Sequence, residues 1–301
     1  MASGGAKTWL ELTRPYSWTA SLVPAALGGA MALAEGRFAS GLFLLTLIAA
    51  VALQSGTNLV NELYDVINRV DTIDAPRASR VLLEGRLTQD QVRRGTAVLF
   101  GTAVLIGLYL VRLRGTPMLV IGAVGVLAGY FYTAPPFQYK YRALGVPMVF
   151  LMMGPLMVAG AHLAIAGHYT RQTILASIPV GLLVAAILHS NEIRDISLDA
   201  RAGFATLSSV IGQKTAARVY AGMVLGAYGL TVFFAGFKLL PAWTLLTVLS
   251  IPAGLAAVRA IKSGVEGKPE DLIRIDEATA RAHLAYGLLL ALSFVVQRIA
   301  G

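Results

Sequence analysis

Residues 41–65 read GLFLLTLIAAVALQSGTNLVNELYD, an apolar run that closes on a polar one. A helix needs about 20 apolar residues to cross a bilayer core, and this run supplies them before its character changes. At its end Asn58, Asn61 and Asp65 stand at i, i+3 and i+7, so all three fall on one helix face. The ending recurs later in the chain. Asn61-Glu62-Leu63-Tyr64-Asp65 is echoed by Asn191-Glu192-Ile193-Arg194-Asp195, and Asn191, Asp195 and Asp199 follow at i, i+4 and i+8. Two apolar runs therefore each end in a polar stripe.

The remainder of the chain has the same apolar character. Of its 301 residues, 56% are hydrophobic and 14% charged, with a mean hydropathy of +0.68. That composition describes a chain solvated by lipid. Nine candidate spans follow, at 17–34, 41–61, 95–111, 116–132, 146–166, 173–190, 216–236, 242–260 and 282–298. The expected fold is an all-α polytopic membrane bundle of nine transmembrane helices, forming one domain over 1–301. The echoed endings lie four spans apart, which fits a duplication of spans 1–4 and 5–8.

The connections alternate in charge. Lysine and arginine gather in the N-terminal segment and in the loops after spans 2, 4, 6 and 8. By the positive-inside rule the N-terminus and these loops are cytoplasmic and the C-terminus is outside, as expected for a multi-pass protein of the cell (inner) membrane. No cleavable leader is read at the N-terminus. Every Asp and Glu except Glu35 falls on the same cytoplasmic set, although acids contribute little to topology. Their concentration marks that face as functional. The net charge of +9 is accounted for by topology, and no nucleic-acid partner is expected. With no cysteine, thiolate metal sites and cysteine nucleophiles are excluded.

The two stripes bring carboxylates and amides to one end of the bundle. Asp71 lies six residues beyond Asp65, about 120° off the stripe on a continuing helix, so the chain is expected to bend before Asp71 joins the cluster. Facing carboxylates repel and call for cations. Mg²⁺ suits oxygen ligands and is usually held by one or two carboxylates with substrate phosphate. Arg69, Arg77, Arg80, Arg194, Arg201, Lys140 and Arg142 surround the clusters; topology alone accounts for many of them, while a diphosphate would engage others. Asp and Asn are also common helix caps, yet two matching sets are hard to explain as caps. His162, His168, His189 and His283 show no metal-ligand spacing and are assigned to packing or interfaces. Trp9, Trp18 and Trp243 are expected as interface anchors. Gly125 with Gly129, and Gly222 with Gly226, give a small-xxx-small spacing that lets helices approach closely.

The stretches Asn58 to Asp71 and Asn191 to Gly212 resemble the two aspartate-rich signatures of the UbiA superfamily of intramembrane prenyltransferases, and the likeness extends from Arg14-Pro15 to the last span. The gap from Asp65 to Asp71, Ser79-Arg80-Val81-Leu82, Tyr132-Thr133 and Ala143-Leu144-Gly145 are most similar to 1,4-dihydroxy-2-naphthoate prenyltransferases of menaquinone synthesis. Ile187-Leu188-His189-Ser190-Asn191 also resembles their animal relatives. Glu62 and Glu192 depart from the usual Asp and Asn, Phe204 from a frequent lysine, and Val146 from an acidic residue.

This resemblance implies helices around a central cavity with cytoplasmic helical caps. It implies that Asn61, Asp65, Asp71, Asp195 and Asp199 organise the reaction, with Mg²⁺ held by Asp65, Asp71, Asp195 and Asp199. Substrate-binding residues would be Asn58, Arg80, Tyr132, Lys140, Arg142, Asn191 and Arg194. The partners implied are a polyprenyl diphosphate, an aromatic acceptor and the lipid bilayer. Other acceptors remain open: 4-hydroxybenzoate, a chlorophyll precursor or a glycerol phosphate ether. A secondary transporter is the rival from another class, though its coupling residues would lie nearer the membrane midplane.

Overall fold

The computed structural model describes residues 5–68 and 80–300. Apart from one isolated bridge, they are helices and their connections. Among the described residues, eight helices are long and apolar enough to cross a membrane: Pro15–Ala34, Ser40–Ile67, Gln89–Arg114, Gly145–Ala166, Arg171–Arg201, Gln213–Gly236, Ala242–Val265 and Ile275–Ala300. A ninth apolar helix, Thr116–Phe131, has only 16 residues. In chain order they are named α1 (Pro15–Ala34), α2 (Ser40–Ile67), α3 (Gln89–Arg114), α4 (Thr116–Phe131), α5 (Gly145–Ala166), α6 (Arg171–Arg201), α7 (Gln213–Gly236), α8 (Ala242–Val265) and α9 (Ile275–Ala300). All nine apolar runs read from the sequence are helical; the fourth falls short of full spanning length.

Local sequence sets several boundaries. Thr88 and Gln91 form a capping box, so α3 starts at Gln89, several residues before its apolar run. Gly115, at φ 73°, turns α3 directly into α4; a side chain there would be strained. The polar endings of α2 and α6 continue as helix, to Ile67 and Arg201. Helix α9 likewise begins at Ile275, which places Asp276 in its first turn.

The core lies where α1, α6, α7 and α9 meet, around Val23, Leu27, Leu183, Tyr220, Tyr286 and Leu290. α1 packs on α5 and α9, α2 on α3, and α6 on α5, α7 and α9. Gly154 in α5 and Gly181 in α6 cross with almost no space between them, since a Cβ on Gly154 would stand 2.7 Å from Gly181 Cα. Gly129 meets Thr57 as the small-residue spacing implies, but Gly222 has nothing within 4 Å and Gly226 only Leu182 at 3.9 Å. That second pair makes no close helix contact. Trp9, in the N-terminal helix Ala6–Thr13, packs against the cluster containing Leu59 and Leu63. It braces α2.

Candidate active site

The ends of α2 and α6 open on one cavity of about 280 Å³. Its walls come from α1, α2, α4, α5, α6, the first turn of α9 and the loops after α4 and α6, and its lower lining is apolar: Leu53, Val149, Met152, Met153, Met157, Val184 and Leu188. At its mouth the polar stripes face each other. Asn58, Asn61 and Asp65 line it from α2, and Asn191, Asp195 and Asp199 from α6, as helical spacing requires.

Asp65 is 3% exposed and is held on three sides. Asn61 Nδ2 donates to its Oδ2 at 2.8 Å. Lys140 Nζ lies 2.8 Å from each Asp65 oxygen and 2.8 Å from Asn61 Oδ1. The Tyr141 hydroxyl donates to Asp65 Oδ1 at 2.5 Å. Burial, and next the Asp65 charge, push the Tyr141 phenol well up, so it stays a protonated donor. Burial also raises the Tyr132 phenol, with Glu192 adding to the effect.

Lys140 and Tyr141 reach Asp65 because their loop is pinned. Lys140 N bonds Tyr132 O at 3.0 Å, and Tyr139 donates its hydroxyl to Ala128 O at 2.8 Å. The loop is also joined to the one after α6: Ala143 N donates to Ala205 O at 2.7 Å and Ala205 N to Tyr141 O at 3.3 Å, a parallel bridge. Tyr141 stacks on Phe204 with ring centroids 4.2 Å apart.

On α6, Arg194 grips Asp195 through Nε at 2.8 Å and Nη2 at 2.6 Å. Its Nη1 is 3.3 Å from Asp276 Oδ2 in α9. Cations therefore offset part of the repulsion within each stripe, while Asp199 stays among carboxylates with no such partner among the described residues. Asp65 carries Lys140 and Asp195 carries Arg194, which offsets their mutual repulsion. Asn191 Oδ1 is buried without a hydrogen-bond partner, as is Glu192 Oε1, and both residues line the cavity.

The other expected residues divide. Tyr132 lines the cavity, with Lys140 Nζ 5.9 Å from its ring centre. Asn58 spends its amide on Thr13 O at 2.8 Å and Ser17 Oγ at 3.0 Å, fixing the turn that carries Arg14. Arg80 and Arg142 are exposed and absent from the cavity wall; Arg142 donates to Pro136 O at 3.1 Å. Asp71 lies outside the described residues. Several wall residues were not anticipated. Arg14 pairs with Glu62 at 3.4 Å, Asp276 holds Arg194, and Ser21 donates to Gln54 at 3.1 Å inside the cavity. The acidic pair Asp276-Glu277 just before an apolar span was the available signal for Asp276.

The donor set is oxygen-rich: aspartate carboxylates and asparagine amides, one of them an orphaned Asn191 oxygen, with an ammonium already seated on Asp65. It fits a hard divalent cation such as Mg²⁺.

Comparison with known proteins gives a consistent picture. The model of the UbiA prenyltransferase family matches residues 21–296. A Bacillus subtilis (strain 168) protein named 1,4-dihydroxy-2-naphthoate octaprenyltransferase is 30% identical over 290 residues, 95% of this chain and 91% of that one. A Dictyostelium discoideum protein named UbiA prenyltransferase domain-containing protein 1 is 35% identical over 223 residues, 72% of this chain and 67% of that one. The structure of a UbiA homolog from Archaeoglobus fulgidus, bound to GPP and Mg²⁺, superposes with a TM-score of 0.66 at 18% identity, covering 94% of this chain and 99% of that one.

Proposed function

Because the chain belongs to the UbiA prenyltransferase family, we propose that it transfers a prenyl group from a polyprenyl diphosphate to 1,4-dihydroxy-2-naphthoate, with Mg²⁺. The observation that carries this reading is the pairing of a cation-bearing carboxylate mouth with an apolar pocket in one cavity. The mouth suits a diphosphate and the pocket its hydrocarbon. The naming of the Bacillus subtilis relative supports the acceptor, as do the sequence runs around Arg80, Tyr132 and Leu144.

Mg²⁺ would be held by Asp65, Asp195 and Asp199, with Asp71 a further candidate, and would supply Lewis-acid compensation for phosphate charge. The chain's own groups do the rest. As the allylic C–O bond breaks, its electron pair leaves with the diphosphate. Lys140 is positioned to meet that charge, and preorganised donors are worth most where charge develops. Val149, Met152, Met153 and Leu188 keep water from the allylic cation. An electron-rich ring carbon of the acceptor then forms the new C–C bond, and loss of CO₂ restores the aromatic ring.

The site faces the cytoplasm in this reading, because the loop that carries Lys140 and the end of α6 that carries Arg194 belong to the basic set. Transport is disfavoured, since every acid except Glu35 gathers at one end of the bundle. The direct test is to supply membranes containing the protein with Mg²⁺, 1,4-dihydroxy-2-naphthoate and a series of prenyl diphosphates. A prenylated naphthoquinol with CO₂ release is expected. Prenylation of 4-hydroxybenzoate and never of the naphthoate would overturn the acceptor.

A further inference from the structure

The sequence left one acid, Glu35, away from the functional face and treated the four histidines as scattered. The structure brings that acid and two of the histidines together. Glu35 caps the end of α1, His162 lies in the last turns of α5, and His168 follows the turn at Gly167. His168 Nε2 is 2.9 Å from Glu35 Oε2 and His162 Nε2 is 3.4 Å from the same oxygen. The three candidate donor atoms lie within 4.8 Å of one another. We propose that Glu35, His162 and His168 form a binding site for one transition-metal ion of the Zn²⁺ class, at the end of the bundle opposite the substrate cavity.

Four observations support it. His162 is fully buried, and its Nε2 has no hydrogen-bond partner. It faces the Glu35 carboxylate at 3.4 Å, a contact longer than a good hydrogen bond. Its other nitrogen is already committed. Nδ1 lies 2.6 Å from Thr173 Oγ1, which also accepts from Thr170 N at 3.0 Å and stands 3.1 Å from Thr170 Oγ1. If His162 Nδ1–H donates to Thr173, that hydroxyl accepts twice and gives its own proton to Thr170. Thr173 is then satisfied, and Nε2 is left as a lone pair able to ligate. This is the orienting partner that metal-bound histidines usually have.

The spacing suits the ion as well. Tetrahedral Zn²⁺ with bonds near 2.0–2.1 Å places its ligand atoms about 3.3 Å apart, close to the separation of His162 and Glu35. His168, now 2.9 Å from Glu35, would open toward that spacing, and its partial exposure gives it room. Side-chain exposures of 40% for His168 and 29% for Glu35 leave a path for the ion and a fourth position for water. Imidazole ligands favour Zn²⁺ and its neighbours, whereas the carboxylates and amides of the cavity favour Mg²⁺. The two sites sort metals by ligand type. They are also far apart: Thr173 and Asp195 both lie on α6, 22 residues or roughly 33 Å from each other. Bound there, the ion would clip the α1–α2 connection to the α5–α6 turn.

The test uses the full chain purified in detergent, stripped with chelator and freed of any histidine tag. Zn²⁺ is added in the presence of excess Mg²⁺, so that the cavity carboxylates are occupied and do not report. Retention of one Zn²⁺ per chain after desalting is expected, with a rise in unfolding temperature that saturates at one equivalent and is not competed by Mg²⁺. Co²⁺ should give the visible absorption of a low-symmetry nitrogen–oxygen site. Glu35→Gln and His168→Ala change partly exposed positions, and each should weaken retention by about tenfold or more. In the otherwise native chain both should keep prenyl transfer, which shows that they fold. No retained Zn²⁺, or equal retention in both variants, would leave only a Glu35–His168 ion pair and overturn the site.

Discussion

Phe204 lies face to face with Tyr141, ring centroids 4.2 Å apart and planes tilted by 30°, on the side chain whose hydroxyl holds Asp65. Phe204 stands where a lysine is frequent in the resembling sequences. Here it acts at one remove, by fixing the ring that fixes the carboxylate.

Two substitutions separate the ring from its hydroxyl. Tyr141→Phe keeps the stack and removes the bond to Asp65, at a cost of about 1.5–3 kcal/mol for a hydrogen bond to a charged group. Turnover should fall with it. Phe204→Ala removes an aromatic pair worth about 0.5–1.5 kcal/mol beyond its buried area and should lower turnover less. Prenyl transfer and thermal unfolding in detergent check both; equal turnover in Tyr141→Phe and the native chain would remove Tyr141 from the site.

Asp65→Asn should abolish transfer and also destabilise the protein without metal. Lys140 would lose its counter-charge, and breaking a buried pair costs about 3–5 kcal/mol. The lower end applies because 17% of the Lys140 side chain is exposed. The sequence alone leads to the opposite sign, relief of repulsion. Asp195→Asn should also abolish transfer with a smaller loss, since Arg194 retains Asp276. A metal-free melting point that rises in Asp65→Asn would contradict the Lys140 pairing.

Lys140→Ala should lower kcat by roughly 10²–10³, the range seen when one preorganised donor to developing charge is removed. Saturation with prenyl diphosphate should not restore the rate. If only KM rises, Lys140 binds substrate without acting on the departing charge.

Gly154→Ala tests the crossing of α5 and α6. The added methyl meets Gly181 Cα at 2.7 Å, and forcing such a contact costs about 1–3 kcal/mol. Met152 and Met153 line the cavity beside it, so the preferred prenyl length should change too. Product chain-length distributions measure this.

The polar stripes were legible because helical spacing depends only on residue order, and α2 and α6 do present Asn58, Asn61, Asp65 and Asn191, Asp195, Asp199 to one cavity. Their lengths were not. An apolar window ends where Asn191 begins, while the helix backbone continues to Arg201 because partners elsewhere receive its polar groups. The same limit hid Asp276. Partnership across the chain was also illegible: Lys140 is 75 residues from Asp65, and only the pinned loop brings them together. The histidines looked scattered because six residues and a chain reversal separate His162 from His168.

Helix α4 has a consequence for how substrate arrives. Its 16 residues rise about 24 Å, roughly 6 Å less than the hydrocarbon thickness. A short wall in a bundle draws the bilayer down around it. Gly125, Ala128 and Gly129 give that wall a shallow cavity side, and Tyr132 stands at its upper end. In a bilayer, headgroups on this flank would dip toward the carboxylates, and under the proposed function an amphiphilic substrate dissolved in the leaflet would reach them by lateral diffusion. Its charged head need never be lifted into bulk water, nor its tail withdrawn from oil.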